Sequence, residues 1–164
     1  MSNEVNIIKV GMADLNIGKS PDILTTLGLG SCVGIALYDA TAQVGGLAHI
    51  MLPDSTQIKN NSNVAKFADT AIEALISLLL KEGARKNRLV AKIAGGAHMF
   101  EFKNMEDHMR IGTRNVSAVI KILESHQIPI ISQDTGSNYG RTVELYTSTG
   151  IFRVKTIGHG IREI

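Results

Sequence analysis

Two rhythms of apolar residues run along this chain, one with helical spacing and one of short, nearly continuous runs. Val64, Phe67, Ala68, Ala71, Ile72, Leu75, Ile76 and Leu79 recur three or four apart, which places them on one face of a helix and assigns that face to the core. Ser62 or Asn63 can cap its start, and Gly83 ends it. A second helix is predicted from about Thr113 to Ser125, with Val116, Val119, Ile120 and Leu123 on its buried face. The short runs read as strands. Cys32 to Tyr38 and Val44 to Leu52 are separated only by Asp39-Ala40-Thr41-Ala42-Gln43, a connection of hairpin length, so they are expected to pair antiparallel. Pro53-Asp54 ends the second run, and the polar stretch from Asp54 to Asn63 is expected to be an exposed loop at the border of a site. Val5 to Ile17 reads as an opening strand before a turn at Gly18-Lys19-Ser20-Pro21. Leu89 to Ala94 reads as a buried strand closed by Gly95-Gly96. Ile128 to Ser132, Thr142 to Thr147 and Ile151 to Ile157 complete the set, the last two joined by Ser148-Thr149-Gly150. Two helices against a largely antiparallel or mixed sheet system make a layered α/β sandwich.

Composition narrows the picture. At 164 residues and 44% hydrophobic content, the chain is the size of one domain with a full core, expected to span residues 1–164. Its longest apolar stretch, around Ala74 to Leu80, falls well short of the roughly 20 residues that cross a bilayer. No basic and then apolar leader opens the sequence, and one cysteine cannot form an internal disulfide, so a cytoplasmic protein is expected. The net charge is only +2, with basic residues scattered and tryptophan absent, which argues against a nucleic-acid partner. The one short basic cluster, Arg85-Lys86-Asn87-Arg88, reads as a solvated connection.

The chemistry gathers around that single cysteine. Cys32 ends the glycine-punctuated segment Thr25-Thr26-Leu27-Gly28-Leu29-Gly30-Ser31-Cys32 and leads into the first strand of the expected hairpin. A free thiol ionises near pH 8.5, so about 3% is thiolate at neutral pH and a neighbouring base is needed to raise that fraction. His49, on the second strand, is the candidate base. A hairpin centred near Thr41 sets Cys32 opposite about Ile50, with His49 one position away. Gly28 and Gly30 can take positive φ and aim the N–H groups near Ser31 and Cys32 at one spot, as an oxyanion hole requires. Thr25 or Thr26 can orient the imidazole. On the residues alone a small buried cysteine and a core histidine are the commoner reading. Gly18-Lys19-Ser20 ends like a phosphate loop, but the motif needs glycine at position 13, where Ala13 stands. His98, Glu106, Asp107 and His108 lack metal-ligand spacing, and no cofactor is called for.

Thr26-Leu27-Gly28-Leu29-Gly30-Ser31-Cys32-Val33-Gly34 and Gly46-Leu47-Ala48-His49-Ile50-Met51-Leu52-Pro53 resemble the signature of the chemoreceptor glutamine deamidase family, CheD. Lys92 to Phe100, Ile111-Gly112-Thr113-Arg114-Asn115 and Gly140-Arg141 follow in that family's order, so the resemblance covers nearly the whole chain. It implies a fold similar to toxin deamidases and a triad of Cys32, His49 and Thr26, with Gly30 and Ser31 at the oxyanion turn. It also implies hydrolysis of receptor glutamine side chains, and of glutamyl methyl esters by the same steps, without a cofactor. The partners implied are methyl-accepting chemotaxis receptors and a phosphatase of the phosphorylated chemotaxis response regulator, for which Phe100 and Phe102, with Met99, could form a docking surface. A non-catalytic module that regulates that phosphatase or the receptor array is the alternative. The chain departs from the family where Asp134 is followed by Thr135-Gly136-Ser137 rather than paired glycines, which leaves that loop without an assigned role.

Overall fold

A computed structural model describes residues 4–99 and 110–164. Within them lie ten strands and two α-helices: β1 (Ile7–Val10), β2 (Asp14–Lys19), β3 (Ile23–Leu29), β4 (Val33–Asp39), β5 (Val44–Ile50), α1 (Ala68–Lys81), β6 (Val90–Gly95), α2 (Ile111–Ser125), β7 (Ile130–Thr135), β8 (Arg141–Tyr146), β9 (Phe152–Thr156) and β10 (Gly160–Glu163). The strands form two five-stranded mixed sheets. An inner sheet has the order β2-β5-β4-β6-β7 and an outer sheet the order β1-β3-β8-β9-β10. Both helices pack on the inner sheet, where Val33, Ile35, Leu37, Ala48 and Ile50 meet Ile72, Leu75, Leu79, Val119 and Leu123. The opposite face of that sheet meets the outer one through Ala36, Leu47 and Ala94 against Leu24, Leu29, Val143, Leu145 and Phe152. The layered α/β sandwich expected from the pattern is the observed architecture.

Covered on both faces, β4 and β5 are buried at every position, which explains why they read as continuous apolar runs. Gly46 lets α1 close on the sheet, because a Cβ there would lie 2.6 Å from Leu75 Cδ1. The β4–β5 hairpin forms as expected, but one register step away: Gly34 faces His49, and Val33 faces Ile50. Asp39 fixes the connection, its carboxylate accepting from the N–H groups of Thr41 and Ala42. The same buried carboxylate takes the Arg85 N–H and the Arg88 guanidinium at 2.9 Å each. The basic cluster is therefore partly an anchor for the hairpin, not only a solvated connection.

Several boundaries differ from the sequence reading. The opening segment is two strands, split at Gly11-Met12-Ala13 where Ala13 takes φ 55°, so that β1 joins the outer sheet and β2 the inner one. Thr25 and Thr26 lie within β3, a full strand, rather than merely before a turn. The expected start of the first helix is a 3-10 turn, Val64–Lys66, capped by the Asn63 side chain; Phe67 is extended and α1 follows it. The loop after Asp54 is mostly exposed, yet Ser55 is buried and its hydroxyl donates to Asp69 at 2.6 Å. The strand expected from Ile128 begins at Ile130, and β10 has no apolar signature because all four of its residues are exposed.

Candidate active site

Thr26 and His49 come from different sheets and meet between them. The pairing of β3 with β8 is regular from Ile23 to Thr26, then skips to Leu29, so Leu27 and Gly28 form a bulge. Gly28, at φ 71°, supplies the left-handed residue that such a bulge favours. Thr26, just before it, turns its side chain to the inner sheet, where its Oγ1 lies 2.7 Å from His49 Nδ1. Both residues are buried. His49 Nε2 is also buried and holds no hydrogen bond among the described residues. With the ring proton on Nδ1 donated to Thr26 Oγ1, Nε2 is left with its lone pair free, which is the tautomer a general base needs.

Cys32 stands immediately before β4, two residues from Gly34, the register partner of His49. It is 7% exposed and packs with Leu29 and Ala94 in the layer between the sheets. Burial pushes the thiol above its ordinary pKa, an effect offset in part by its own backbone N–H. Burial pushes His49 below the ordinary imidazole value. The resting pair is thus a neutral thiol and a neutral imidazole, with no unpaired charge held in a dry site.

The turn that carries Cys32 is gripped from behind. Gly96 N–H donates to the Cys32 carbonyl at 2.8 Å, and Ala97 N–H to the Gly30 carbonyl at 2.8 Å. A Cβ at Gly95, which takes φ 112°, would overlap the Cys32 carbonyl oxygen. Gly95 O in turn accepts from Gly136 N–H at 3.0 Å and from Arg141 Nη1 at 3.4 Å. Buried Arg141 donates through Nε to Asp134 at 3.0 Å. This gives the Asp134–Arg141 loop a structural task, since it locks the double glycine behind the Cys32 turn.

The oxyanion expectation needs one correction. Gly30 does not take positive φ, and its N–H is occupied by the Gly28 carbonyl at 3.1 Å, so Gly28 alone supplies the left-handed turn and Gly30 supplies room. A Cβ at Gly30 would lie 3.2 Å from Met99 Cγ. Sequence reasoning also missed Asn115, in the first turns of α2, which is fully buried and donates from Nδ2 to Ser31 O at 2.9 Å and to Met51 O at 3.0 Å. The signal was present: Asn115 stands four residues before Val119 on the face that Leu123 continues, a polar residue where the helical stripe calls for an apolar one.

A cavity of about 310 Å³ opens beside Thr26, lined by Lys9, Val10, Gly11, Met12, Thr25 and Leu27 as well. Met12 and Leu27 are exposed at its edge. Phe100 and Phe102 lie outside the described residues, as do Glu106, Asp107 and His108. His98 packs against Thr113, its Nε2 lying 3.2 Å from Oγ1. Among the described residues no three His, Cys, Asp or Glu side chains form a group able to hold a metal ion. No helix among them is long and apolar enough to cross a membrane.

Comparison with known proteins matches residues 51–156 to the family described as CheD chemotactic sensory transduction. A protein of Caldanaerobacter subterraneus subsp. tengcongensis is 58% identical, over 98% of this chain and 99% of its own length. The chain belongs to the CheD family. A second CheD relative, from Lachnoclostridium phytofermentans, is 56% identical over 96% of this chain, and one from Clostridium botulinum is 53% identical over 98%. All three are named probable chemoreceptor glutamine deamidase CheD. The CheD family match begins just after His49, so the segment with Cys32 and His49 is covered by the near-full-length relatives rather than by that match.

Proposed function

We propose that this chain hydrolyses glutamine side chains of chemoreceptors to glutamate, with Cys32 as nucleophile, His49 as general base and acid, and Thr26 as the residue that orients the imidazole. The observation that carries this reading is the buried contact of Thr26 Oγ1 with His49 Nδ1, which leaves Nε2 without a partner among the described residues, while Cys32 stands two residues from Gly34, the register partner of His49. The names of the full-length relatives supply the substrate class.

In the proposed reaction His49 Nε2 takes the thiol proton as Sγ attacks the carboxamide carbon, forming a tetrahedral oxyanion. The imidazolium gives its proton to the departing nitrogen, ammonia leaves, and a thioester remains. Water, deprotonated by the same nitrogen, adds to the thioester carbonyl. Collapse releases glutamate, and the thiolate recovers its proton from His49. A glutamyl methyl ester follows the same steps with methanol as the leaving group. The turn around Ser31 and Cys32 is where backbone N–H groups meet the oxyanion. The single domain would act in the cytoplasm on the helical part of the receptor. Its second partner, a phosphatase of the phosphorylated response regulator, rests on the family resemblance, as does a regulatory role in binding it.

The test is ammonia release from a receptor cytoplasmic fragment, with each modified site read by mass spectrometry. Cys32→Ala is expected to abolish release while circular dichroism remains unchanged, and Thr26→Val to slow it about 10- to 100-fold, with Thr26→Ser retaining most of the rate. Undiminished release by folded Cys32→Ala rejects the reading.

A further inference from the structure

Asn115 makes two hydrogen bonds that no apolar residue of α2 could replace. One Nδ2 reaches the carbonyls of Ser31 at 2.9 Å and Met51 at 3.0 Å, with the side chain fully buried. Two carbonyl acceptors fix the amide's orientation, because only the NH2 end carries two donors; a hydroxyl would serve one, and a carboxylate would set negative oxygen against both. One acceptor immediately precedes the nucleophile and the other lies two residues after the base. A single amide therefore spans the two segments that must stay aligned.

The Ser31 carbonyl and the Cys32 N–H belong to one planar trans peptide, so they point in opposite directions. Asn115 stands on α2, on the helix side of the inner sheet. Holding the carbonyl toward α2 turns the Cys32 N–H toward the layer between the sheets, where the thiol packs. That N–H holds no backbone carbonyl among the described residues, and its favourable effect on the ionised sulfur fits the same direction. We infer that Asn115 is a positioning residue that sets the Ser31–Cys32 peptide so that the Cys32 N–H faces the developing oxyanion. The inference rests on the cysteine-hydrolase reading above. Asn115 itself touches neither sulfur nor substrate in this role; it acts through the peptide it holds.

Asn115→Ala and Asn115→Asp in the full chain test it with two readouts. The first is the pH dependence of Cys32 alkylation by iodoacetamide, which needs no receptor. Its midpoint is expected to rise by about one pH unit in both variants as the N–H turns away from sulfur. The second is ammonia release, where kcat is expected to fall about 100-fold with KM within about twofold, as for loss of one oxyanion donor. For Asn115→Asp the deficit relative to the unchanged protein should narrow at acid pH, because a protonated carboxyl regains one O–H donor. Alkylation profiles that superimpose on that of the unchanged protein, or a loss confined to KM, overturn the inference. Failure of both variants to fold overturns it too, by assigning Asn115 to the fold alone. Cys32→Ala separates the two levels: residual ammonia release there rejects the cysteine-hydrolase reading, whereas a dead Cys32→Ala beside a fully active Asn115→Ala rejects only the positioning role.

Discussion

A thiol raised by burial and an imidazole lowered by it bound the stability of this chain on both sides of neutrality. For His49 the folded value lies below the unfolded one of about 6.5, so its contribution is present above that pH and is lost as pH falls through the folded value. For Cys32 the folded value lies above the unfolded one of about 8.5, so its contribution is present below that pH and is lost as pH rises toward the folded value. Thermal midpoints are therefore expected to form a plateau between about pH 6.5 and 8.5. His49→Gln should flatten the acid shoulder and Cys32→Ala the alkaline one. Differential scanning calorimetry across pH checks both, and an unchanged acid shoulder in His49→Gln contradicts the assignment. The candidates Cys32 and His49 were legible because each is conspicuous in its segment. Thr26 was legible only as one of two candidate threonines and through the resemblance, since β3 and β5 belong to different sheets and no local spacing couples them.

Among the elements, the hairpin and both helices were readable because burial on both faces or along one stripe leaves a strong periodic trace. β3 was not recognised as a strand, because its bulge at Leu27-Gly28 and the glycine that follows look like a turn. β1 and β10 are short edge strands; Val10 of β1 is buried between the sheets, whereas all four residues of β10 are exposed and pairing alone makes it a strand. The connection that matters most to the site is the double glycine at the end of β6, Gly95-Gly96. Gly95→Ala adds a methyl that collides with the Cys32 carbonyl at a φ that disfavours side chains. It is expected to cost about 3 kcal/mol or more in urea unfolding. Gly158→Ala is the control, with similar backbone strain at φ 79° but nothing within 4 Å of the new methyl. Its cost should be about 1 kcal/mol. Equal costs for the two would deny the close packing of Gly95 on the Cys32 turn.

At the scale of the molecule, one sheet separates two apolar layers. Leu75 fills the layer under the helices and Leu145 the layer between the sheets, and both are fully buried. Leu75→Ala and Leu145→Ala are each expected to lower stability by about 2–5 kcal/mol. Both should keep a single transition whose fluorescence and circular dichroism curves coincide, because β4 and β5 belong to both layers. Separate transitions in the two variants would divide the chain into two folding units and contradict the single domain. The layer between the sheets also contains the bond from Thr26 to His49, and this gives the site an unusual dependency. The Thr26 hydroxyl and the His49 imidazole are mounted on two separately hydrogen-bonded sheets, so their separation is set by the thickness of the filling between them, not by any backbone ladder among the described residues. In the proposed mechanism turnover then becomes a gauge of that thickness. A change among small filling residues such as Ala36 and Ala94 can mistune the imidazole while each sheet, taken by itself, stays intact.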